Sequence, residues 1–155
     1  MPFLNVEIKA RCANLDTVRS LLQSKCADAK GTDHQVDTYF RVPSGRLKLR
    51  EGNIENALIH YERADSEGPK ASRITLHRTE PGSSLKEVLT NALGVLAVVD
   101  KRREIFFLEN VKFHLDTVEG LGTFVEIEAI DRDGTIGRER LQAQCEQYLQ
   151  LLGRP

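Results

Sequence analysis

The sequence predicts an α+β fold in which an antiparallel sheet or barrel carries helices packed on its outside. Two observations lead to this prediction. Short segments all along the chain alternate charged with aliphatic residues, which is the period of a strand with one wet and one buried face. The first of them places Glu7, Lys9 and Arg11 opposite three aliphatic residues. Between and after these segments lie three stretches with helical periodicity or helix-capping residues.

The strand segments follow one another along most of the chain and give about eight strands. Pro43 and Gly45 mark a turn after the second strand, and Gly52 ends the third. Residues 65–70, which include a glycine and a proline, are predicted to form a loop. The strand segments are 4–12, 35–42, 46–51, 57–64, 72–77, 96–104, 105–108, 111–118 and 123–130.

Three helices are predicted from capping residues and apolar periodicity. Asn14 has the character of an N-cap for a helix that ends near residue 25. Ser84 and Glu87 have the spacing of a capping box at the start of a second, short helix. Residues 136–152 form an amphipathic third helix. Nothing in the sequence marks a linker or an internal repeat, so we place one domain over residues 1–155.

Composition excludes several classes of function. The chain has 155 residues, 40% of them hydrophobic and 29% charged, which is ordinary for a globular domain. Its net charge of −1 weakens the case for nucleic-acid binding. There is no long apolar run, so we expect no membrane partner. The three cysteines include no C-x-x-C pair, and we expect them to stay reduced in a cytoplasmic protein.

The charged strand faces allow two arrangements, which periodicity alone does not separate. In an open sheet they would face solvent. In a sheet that curls into a barrel they would line a cavity. Such a cavity would have to be wet and open, because isolated buried charges are costly.

The charges themselves indicate a chemistry. Arginine and lysine are the side chains that bind phosphate oxygens, and carboxylates are the ligands of hard divalent cations. Both sets in one cavity would describe a metal–polyphosphate site. The basic set is Lys9, Arg11, Lys48, Arg50, Arg63, Lys101 and Arg103, and the acidic set is Glu7, Asp116, Glu126 and Glu128.

Several short motifs, taken in order, resemble the CYTH domain family of triphosphate tunnel enzymes, which includes class IV adenylyl cyclases and thiamine triphosphatases. The resemblance covers nearly the whole chain. Its motifs are Val6-Glu7-Ile8-Lys9, Gln35-Val36-Asp37-Thr38-Tyr39-Phe40, Leu47-Lys48-Leu49-Arg50-Glu51, Tyr61-Glu62-Arg63-Ala64-Asp65, Val99-Asp100-Lys101-Arg102-Arg103 and the run 114–128.

The resemblance implies an eight-stranded antiparallel barrel with a triphosphate inside and Mg²⁺ or Mn²⁺ as the cofactor. It assigns the metal to Glu7, Glu126 and Glu128, with Asp116 as a helper. The resemblance implies phosphate-binding roles for the basic set named above, without Arg11, and places Tyr39 and Tyr61 in the tunnel wall. We expect Glu7, Lys9, Arg50, Glu126 and Glu128 to carry the reaction. One position departs from the family pattern, because Asn5 stands where the Glu-x-Glu-x-Lys signature has its first glutamate.

Three functions remain open on the sequence. The first is a metal-dependent phosphohydrolase, and the second is a class IV adenylyl cyclase that forms cyclic AMP and pyrophosphate. The third is a non-catalytic binder of triphosphates or other polyanions. We favour hydrolysis because no residue pattern is typical of an adenine pocket. The expected partner is tripolyphosphate, thiamine triphosphate or ATP, and a homodimer remains possible. A P-loop is excluded, since no G-x-x-x-x-G-K pattern occurs.

Overall fold

The computed structural model describes residues 2–63 and 69–153, and for Arg63 it describes the backbone alone. The described part contains eight strands and three helices. The strands are β1 (Phe3–Arg11), β2 (Asp28–Phe40), β3 (Arg46–Glu51), β4 (Asn56–Arg63), β5 (Lys70–Arg78), β6 (Val95–Leu108), β7 (Val111–Val118) and β8 (Gly122–Asp131). The helices are α1 (Leu15–Ser24), α2 (Leu85–Leu93) and α3 (Arg138–Leu151).

The eight strands close into an antiparallel barrel, so the predicted fold class is confirmed. The strand order around the ring is β1-β5-β4-β3-β2-β6-β7-β8. β1 closes the ring by pairing with both β5 and β8. In its ladder with β8, Glu7 lies opposite Glu128 and Lys9 lies opposite Glu126. The closed register therefore brings charged residues from opposite ends of the chain to one place inside the barrel.

The hydrophobic core lies outside one half of the barrel, between the strands and two helices. The outward faces of β1, β6, β7 and β8 pack against α1 and α3. Phe113, Leu141 and Cys145 are fully buried there. Asn14 caps α1 as predicted, because its side chain accepts hydrogen bonds from the backbone N–H groups of Asp16 and Thr17. The prediction that helices cover the aliphatic strand faces is thus confirmed for this half.

The other half of the barrel reverses the pattern. On β4 and β5 the aliphatic residues face the lumen, where Ala57, Ile59 and Ile74 form a second small cluster. The outward residues Arg73 and Thr75 of β5 are exposed. The reason is the helix placement: α1 and α3 lie against β1 and β8, whereas α2 contacts β2 and buries none of its residues. The expectation that every aliphatic strand face packs on a helix is therefore wrong for these two strands.

Two strands are longer than the sequence predicts. β2 begins seven residues earlier than expected, because residues 28–34 pair with β6 although most of their side chains are exposed. β6 is one strand rather than the two predicted at 96–104 and 105–108. Its inward face is charged at Lys101 and Arg103 and becomes apolar at Ile105 and Phe107. This change of polarity along one strand explains why the sequence predicts two strands.

Smaller differences concern the ends of elements. Ser84 precedes α2 but makes no side-chain capping bond, so the predicted capping box is wrong. The predicted loop at 65–70 lies largely outside the described residues. No helix in the described ranges is long and apolar enough to cross a membrane.

Candidate functional site

The lumen of the barrel is a cavity of about 610 Å³ with two kinds of wall. One wall is densely charged and the other is apolar. The basic residues that line the cavity are Lys9, Arg46, Lys48, Arg50, Arg78, Lys101, Arg103, Lys112 and Arg132. The acidic residues that line it are Glu7, Glu55, Glu126 and Glu128. The sequence allows two arrangements of the charged strand faces, an open sheet and a closed barrel. The protein has the barrel, and the charged faces line its cavity.

Three basic residues converge on the fully buried carboxylate of Asp37. Arg50 donates to it from Nε at 3.0 Å and from Nη2 at 2.9 Å. Lys101 Nζ donates at 2.8 Å, and Lys48 Nζ lies 3.8 Å away. Burial alone would raise the pKa of Asp37, but the charge and hydrogen bonds of Arg50, with the two lysines, hold this pKa well below its ordinary value. Asp37 is therefore an anion that fixes the cations around it.

The two lysines of this group lose part of their basicity. Burial and the charge of Arg50 lower the pKa of Lys48 to about 8. Burial and the charges of Arg103 and Arg50 lower the pKa of Lys101 to about 7. A single carboxylate does not offset so many neighbouring cations, and an added anion would restore both pKa values.

Arg103 is held in the same way by a second buried carboxylate. Its Nε and Nη2 donate to the two oxygens of Asp116, each at 2.8 Å. Burial lowers the pKa of Arg103, but the hydrogen bonds and charge of Asp116 outweigh it and raise the pKa. Asp116, which the resemblance assigns to the metal as a helper, thus has both oxygens bound by a guanidinium.

A group of possible metal ligands lies beside these cations. One nitrogen of His114 and one oxygen each of Glu126 and Glu128 lie within 4.8 Å of one another. His114 Nδ1 lies 2.8 Å from Glu126 Oε1, and Asn5 Nδ2 donates to Glu128 Oε1 at 2.6 Å. Glu7 stands next to the group, opposite Glu128 in the ladder. β1, β7 and β8 are adjacent in the ring, so the fold itself brings these residues together.

The protonation states of this group follow from their surroundings. Burial, together with the charges of Arg103 and Lys112, lowers the pKa of His114 to about 4, so its ring is neutral at pH 7. Burial would raise the pKa of Glu126, but the hydrogen bond from His114 and the charges of Arg103 and Lys9 lower it well below its ordinary value. Glu126 is therefore an anion that accepts the Nδ1–H bond of a neutral imidazole.

These residues fit the divalent cation that the resemblance implies. Two buried acceptor atoms, His114 Nε2 and Asn5 Oδ1, have no hydrogen-bond partner among the residues that the structure describes. Leaving buried acceptors unpaired is costly, and a cation offsets that cost. Asn5 departs from the family signature, but its amide nitrogen orients Glu128 and its carbonyl oxygen remains an acceptor.

A loop between β3 and β4 adds a carboxylate that the sequence analysis did not single out. Glu55 accepts from Lys112 Nζ at 2.5 Å and from Gln35 Nε2 at 2.9 Å, and it lies 3.5 Å from Arg50 Nη1. Burial raises the pKa of Glu55, but Lys112 and Arg50 lower it to about 2. The buried Asp33 holds the loop by accepting backbone N–H bonds from residues 53–55.

The apolar wall is formed mainly by β4 and β5, and its remaining residues lie on β1 and β8, the strands that also carry part of the ligand group. β4 and β7 are four positions apart in the eight-membered ring. In the ladders of β4 and β5, Ile59 pairs with Leu76, and Tyr61 pairs with Ile74. The apolar wall, as we name it, comprises Phe3, Ile59, Tyr61, Ile74, Leu76 and Ile130. Lys48 bridges the two walls, with Nζ 5.6 Å from the ring centroid of Tyr39 and 5.2 Å from that of Tyr61.

Most of the residues singled out from the sequence meet in this cavity, but three do not contribute to its described lining. Asp116 lies behind Arg103, as given above. Arg11 is exposed, donates to the carbonyl of Leu121 at 3.0 Å and lies over the ring of Phe124. The side chain of Arg63 is outside the described residues. The cavity lining includes Glu7, Lys9, Tyr39, Lys48, Arg50, Tyr61, Lys101, Arg103, Glu126 and Glu128.

Sequence reasoning missed several residues of the site, and for some of them a signal existed. Lys112 shares the strand face of His114 and Asp116, and Asp37 shares that of Gln35 and Tyr39, so period two could have placed both in the lumen. Glu55 gave no signal, because it lies in a loop and loop residues follow no fixed period.

Together these features define an antiparallel barrel whose lumen combines many buried cations with a group of residues that could hold a metal ion. The family model described as CYTH domain matches residues 4–151, and the chain belongs to this family. A search of the curated proteins found no match.

Solved structures agree with the fold. The PH1012 protein from Pyrococcus horikoshii OT3 is 26% identical with a TM-score of 0.79, covering 96% of this chain and 90% of that one. A putative adenylate cyclase from Vibrio parahaemolyticus is 21% identical with a TM-score of 0.75, covering 97% and 87%. A putative adenylyl cyclase from Hippeastrum, reported to have a dominant triphosphatase activity, is 19% identical with a TM-score of 0.62, covering 97% and 89%.

Proposed function

We propose that this protein is a metal-dependent phosphohydrolase that removes the terminal phosphate from a triphosphate carrying an organic group. The observation that carries the proposal is that one lumen combines a basic region, an adjoining ligand group and an apolar wall. Membership of the CYTH family supports triphosphate chemistry in general. The name of the Hippeastrum protein, with its dominant triphosphatase activity, supports hydrolysis among the family's reactions.

The basic region binds the phosphate chain. Asp37 and Asp116 each hold a guanidinium along its Nε–Nη2 edge, which orients the remaining Nη1 groups of Arg50 and Arg103 in the lumen. Phosphate oxygens suit such donors because planar guanidinium groups form charge-assisted hydrogen bonds with them. Lys101 and Lys48 add positive charge that the triphosphate neutralises.

The ligand group acts on the reacting end of the chain. Glu126 and Glu128, with Glu7 beside them, would hold a divalent cation next to the phosphates. A cation held by these residues would neutralise phosphate charge and orient the attacking water. The water oxygen forms a bond to the terminal phosphorus as the bond to the bridging oxygen breaks. The products are orthophosphate, the diphosphate of the organic group and one proton.

The apolar wall sets the class of substrate. An inorganic triphosphate is charged along its whole length and gains nothing from Ile59, Ile74 or Leu76. A flat organic group attached to the phosphates would instead cover these side chains and remove their area from water. We therefore place thiamine triphosphate and ATP ahead of tripolyphosphate as substrates.

The apolar wall also supports a second candidate function, adenylyl cyclase, for which the sequence alone gave no specific support. The sequence contains no pattern typical of an adenine pocket, but an apolar surface facing the cations could receive an adenine ring. Cyclisation would require the ribose 3′-hydroxyl to attack the α-phosphorus, with pyrophosphate as the leaving group. We keep it as the second candidate.

Product analysis tests the proposal. ³¹P NMR of thiamine triphosphate, ATP and tripolyphosphate, each incubated with Mg²⁺ or Mn²⁺, should show orthophosphate and the matching diphosphate. Pyrophosphate with cyclic AMP would establish the second candidate instead. Tight binding with neither product would leave a non-catalytic binder and overturn the proposal.

A variant of the apolar wall tests the substrate class. Ile74→Ser should raise the KM for the organic substrate by about tenfold, since losing apolar contact with a substrate costs on this order. Tripolyphosphate serves as the internal control, because its KM should not change. An equal rise for both substrates would show that the apolar wall does not contact the organic group.

A further inference from the structure

We propose that His114 binds the divalent cation directly through Nε2, together with Glu128, while Glu126 Oε1 fixes the ring, and so makes a mixed nitrogen–oxygen site that favours transition-series cations over Mg²⁺. The inference rests on the proposed function in that it concerns the same metal site. It goes further by naming a nitrogen ligand that the resemblance does not imply and by predicting which metals the site selects.

The orientation of the His114 ring leaves Nε2 free to bind a cation. Nδ1 of His114 lies 2.8 Å from Glu126 Oε1. An ionised carboxylate can only accept, so Nδ1 carries the ring proton and Nε2 presents a lone pair. Histidines that bind metals through one nitrogen almost always donate the other N–H to a carboxylate or carbonyl, which fixes the ring. His114 has this arrangement already.

The surroundings of Nε2 also favour a bound cation. His114 is 1% exposed, and Nε2 is buried without a hydrogen-bond partner in the described part of the chain. It faces Glu128 Oε2 at 3.9 Å. Two acceptors at this distance gain nothing from each other. One cation could contact both, since a metal–nitrogen bond and a metal–oxygen bond together span about 4.1 Å.

The hydrogen bonds of the neighbouring side chains go to acceptors other than His114 Nε2. Asn5 directs its amide nitrogen to Glu128 Oε1, so this donor is already used. Arg103 gives its Nε and Nη2 to Asp116, and its Nη2 lies 3.9 Å from Glu126. Lys112 gives Nζ to Glu55. These donor atoms thus have other acceptors, and none of them bonds to His114 Nε2.

The chemistry of an imidazole ligand determines the selectivity. Mg²⁺ prefers oxygen ligands and gives up its waters reluctantly. Imidazole suits later transition metals, whose affinity for such sites rises from Mn²⁺ through Co²⁺. The site should therefore bind Co²⁺ more tightly than Mn²⁺, and Mn²⁺ more tightly than Mg²⁺.

The test uses bound metal without any substrate. Pulsed EPR of Mn²⁺ bound to the wild-type protein should show ¹⁴N coupling from a directly bound nitrogen. His114→Gln should abolish that coupling and weaken Co²⁺ binding by about tenfold or more, measured by competition with Mn²⁺. Mg²⁺ binding should change by less than about threefold, because Mg²⁺ relies on the oxygens. His77→Gln, on the exposed face of β5, is the matched control.

The outcomes separate this inference from the proposed function. Absence of ¹⁴N coupling in the wild-type protein overturns the inference, even where His114→Gln fails to fold. Equal losses of Co²⁺ and Mg²⁺ affinity in a folded His114→Gln protein overturn it as well. If the protein hydrolyses the triphosphate but shows no ¹⁴N coupling, the proposed function stands and the histidine ligand is wrong. If it shows ¹⁴N coupling but no turnover, the histidine ligand stands and the proposed function is wrong.

Discussion

Two buried aspartates decide how the cations of the lumen are presented. Asp37 and Asp116 are both fully buried, and each holds an arginine through two hydrogen bonds. The sequence shows that both aspartates alternate with aliphatic residues. It does not show which side chains bind them. A carboxylate that binds an arginine and one that binds a metal have the same period in a strand. The sequence could therefore place Asp116 on the same face of β7 as His114 without showing that Arg103 occupies both of its oxygens.

Removing one partner of such a pair should cost folding stability. Arg103→Ala leaves the carboxylate of Asp116 buried without its guanidinium. Breaking a buried ion pair in this way destabilises a protein by about 3–5 kcal/mol. Chemical denaturation should show this loss in the free energy of unfolding, and Arg73→Ala, on the exposed face of β5, should show almost none.

A second substitution tests whether the unpaired charge of Asp116 causes the loss of stability. Adding Asp116→Asn to Arg103→Ala removes the unpaired charge and should recover part of the lost stability. If Arg103→Ala is as stable as Arg73→Ala, the pair does not hold the lumen together as described.

The lysines of the lumen give the site a pH dependence. Burial and neighbouring cations lower the pKa of Lys101 to about 7 and that of Lys48 to about 8. Both must be protonated to attract a triphosphate, so binding should weaken as the pH rises from 7 to 9. At pH 8, binding should take up protons, measurable by calorimetry in buffers with different ionisation enthalpies. Lys101→Met should bind less tightly at pH 7 and take up fewer protons. Unchanged proton uptake in this variant would contradict the assignment.

The acids should control metal dependence. Glu126→Gln keeps the shape of the side chain and can still accept from His114, but it removes a charge from the ligand group. We expect metal-dependent turnover to fall by about ten- to a hundredfold, because the group that would hold the metal loses a negative charge. Glu119→Gln, at an exposed position, should keep full activity. Equal activity in the two variants would remove Glu126 from the mechanism.

At the scale of elements, the loop between β3 and β4 positions a carboxylate that contacts two cations of the lumen. Asp33 accepts N–H bonds from three successive residues of this loop, and the loop in turn carries Glu55 to Lys112 and Arg50. The packing is tight, because a Cβ atom at Gly52 would lie 2.6 Å from Asp33 Oδ1. The position of two cations in the lumen therefore depends on a buried aspartate outside the charged wall.

Substitution of Asp33 should affect both stability and binding. Asp33→Asn places an amide NH₂ against backbone N–H donors, so at least one buried donor loses its acceptor. The free energy of unfolding should fall by about 1–3 kcal/mol, and the KM for the triphosphate should rise as Glu55 shifts. Asp28→Asn, at an exposed position, is the control. A change in neither stability nor KM would show that the loop does not depend on Asp33.

The strands themselves show where sequence patterns succeed and fail. β1, β3, β7 and β8 have charged residues on the inward face, as their alternation predicts. The pattern on β5 is equally clear, but its sense is reversed, because in the described part of the chain the helices pack mainly on β1, β2 and β8. Alternation reports that a strand has two different faces. Which face is inside depends on where the helices pack, and short-range patterns do not contain that information.

At the scale of the molecule, ring closure produces the site. β1 and β8 come from opposite ends of the chain and pair over eight positions, which sets Glu7 beside Glu128 and Lys9 beside Glu126. The sequence predicts these residues and, through the family resemblance, their common lumen. The partners inside the lumen and the apolar wall follow from register and helix placement, so only the folded structure reveals them.

A crystal structure with Mn²⁺ and tripolyphosphate tests the central claim most directly. We expect anomalous density for Mn²⁺ at the group formed by Glu126, Glu128 and His114. We also expect the phosphate chain along Arg50, Lys101 and Arg103, inside the barrel. Phosphate density outside the lumen, or Mn²⁺ away from Glu126 and Glu128, would contradict it.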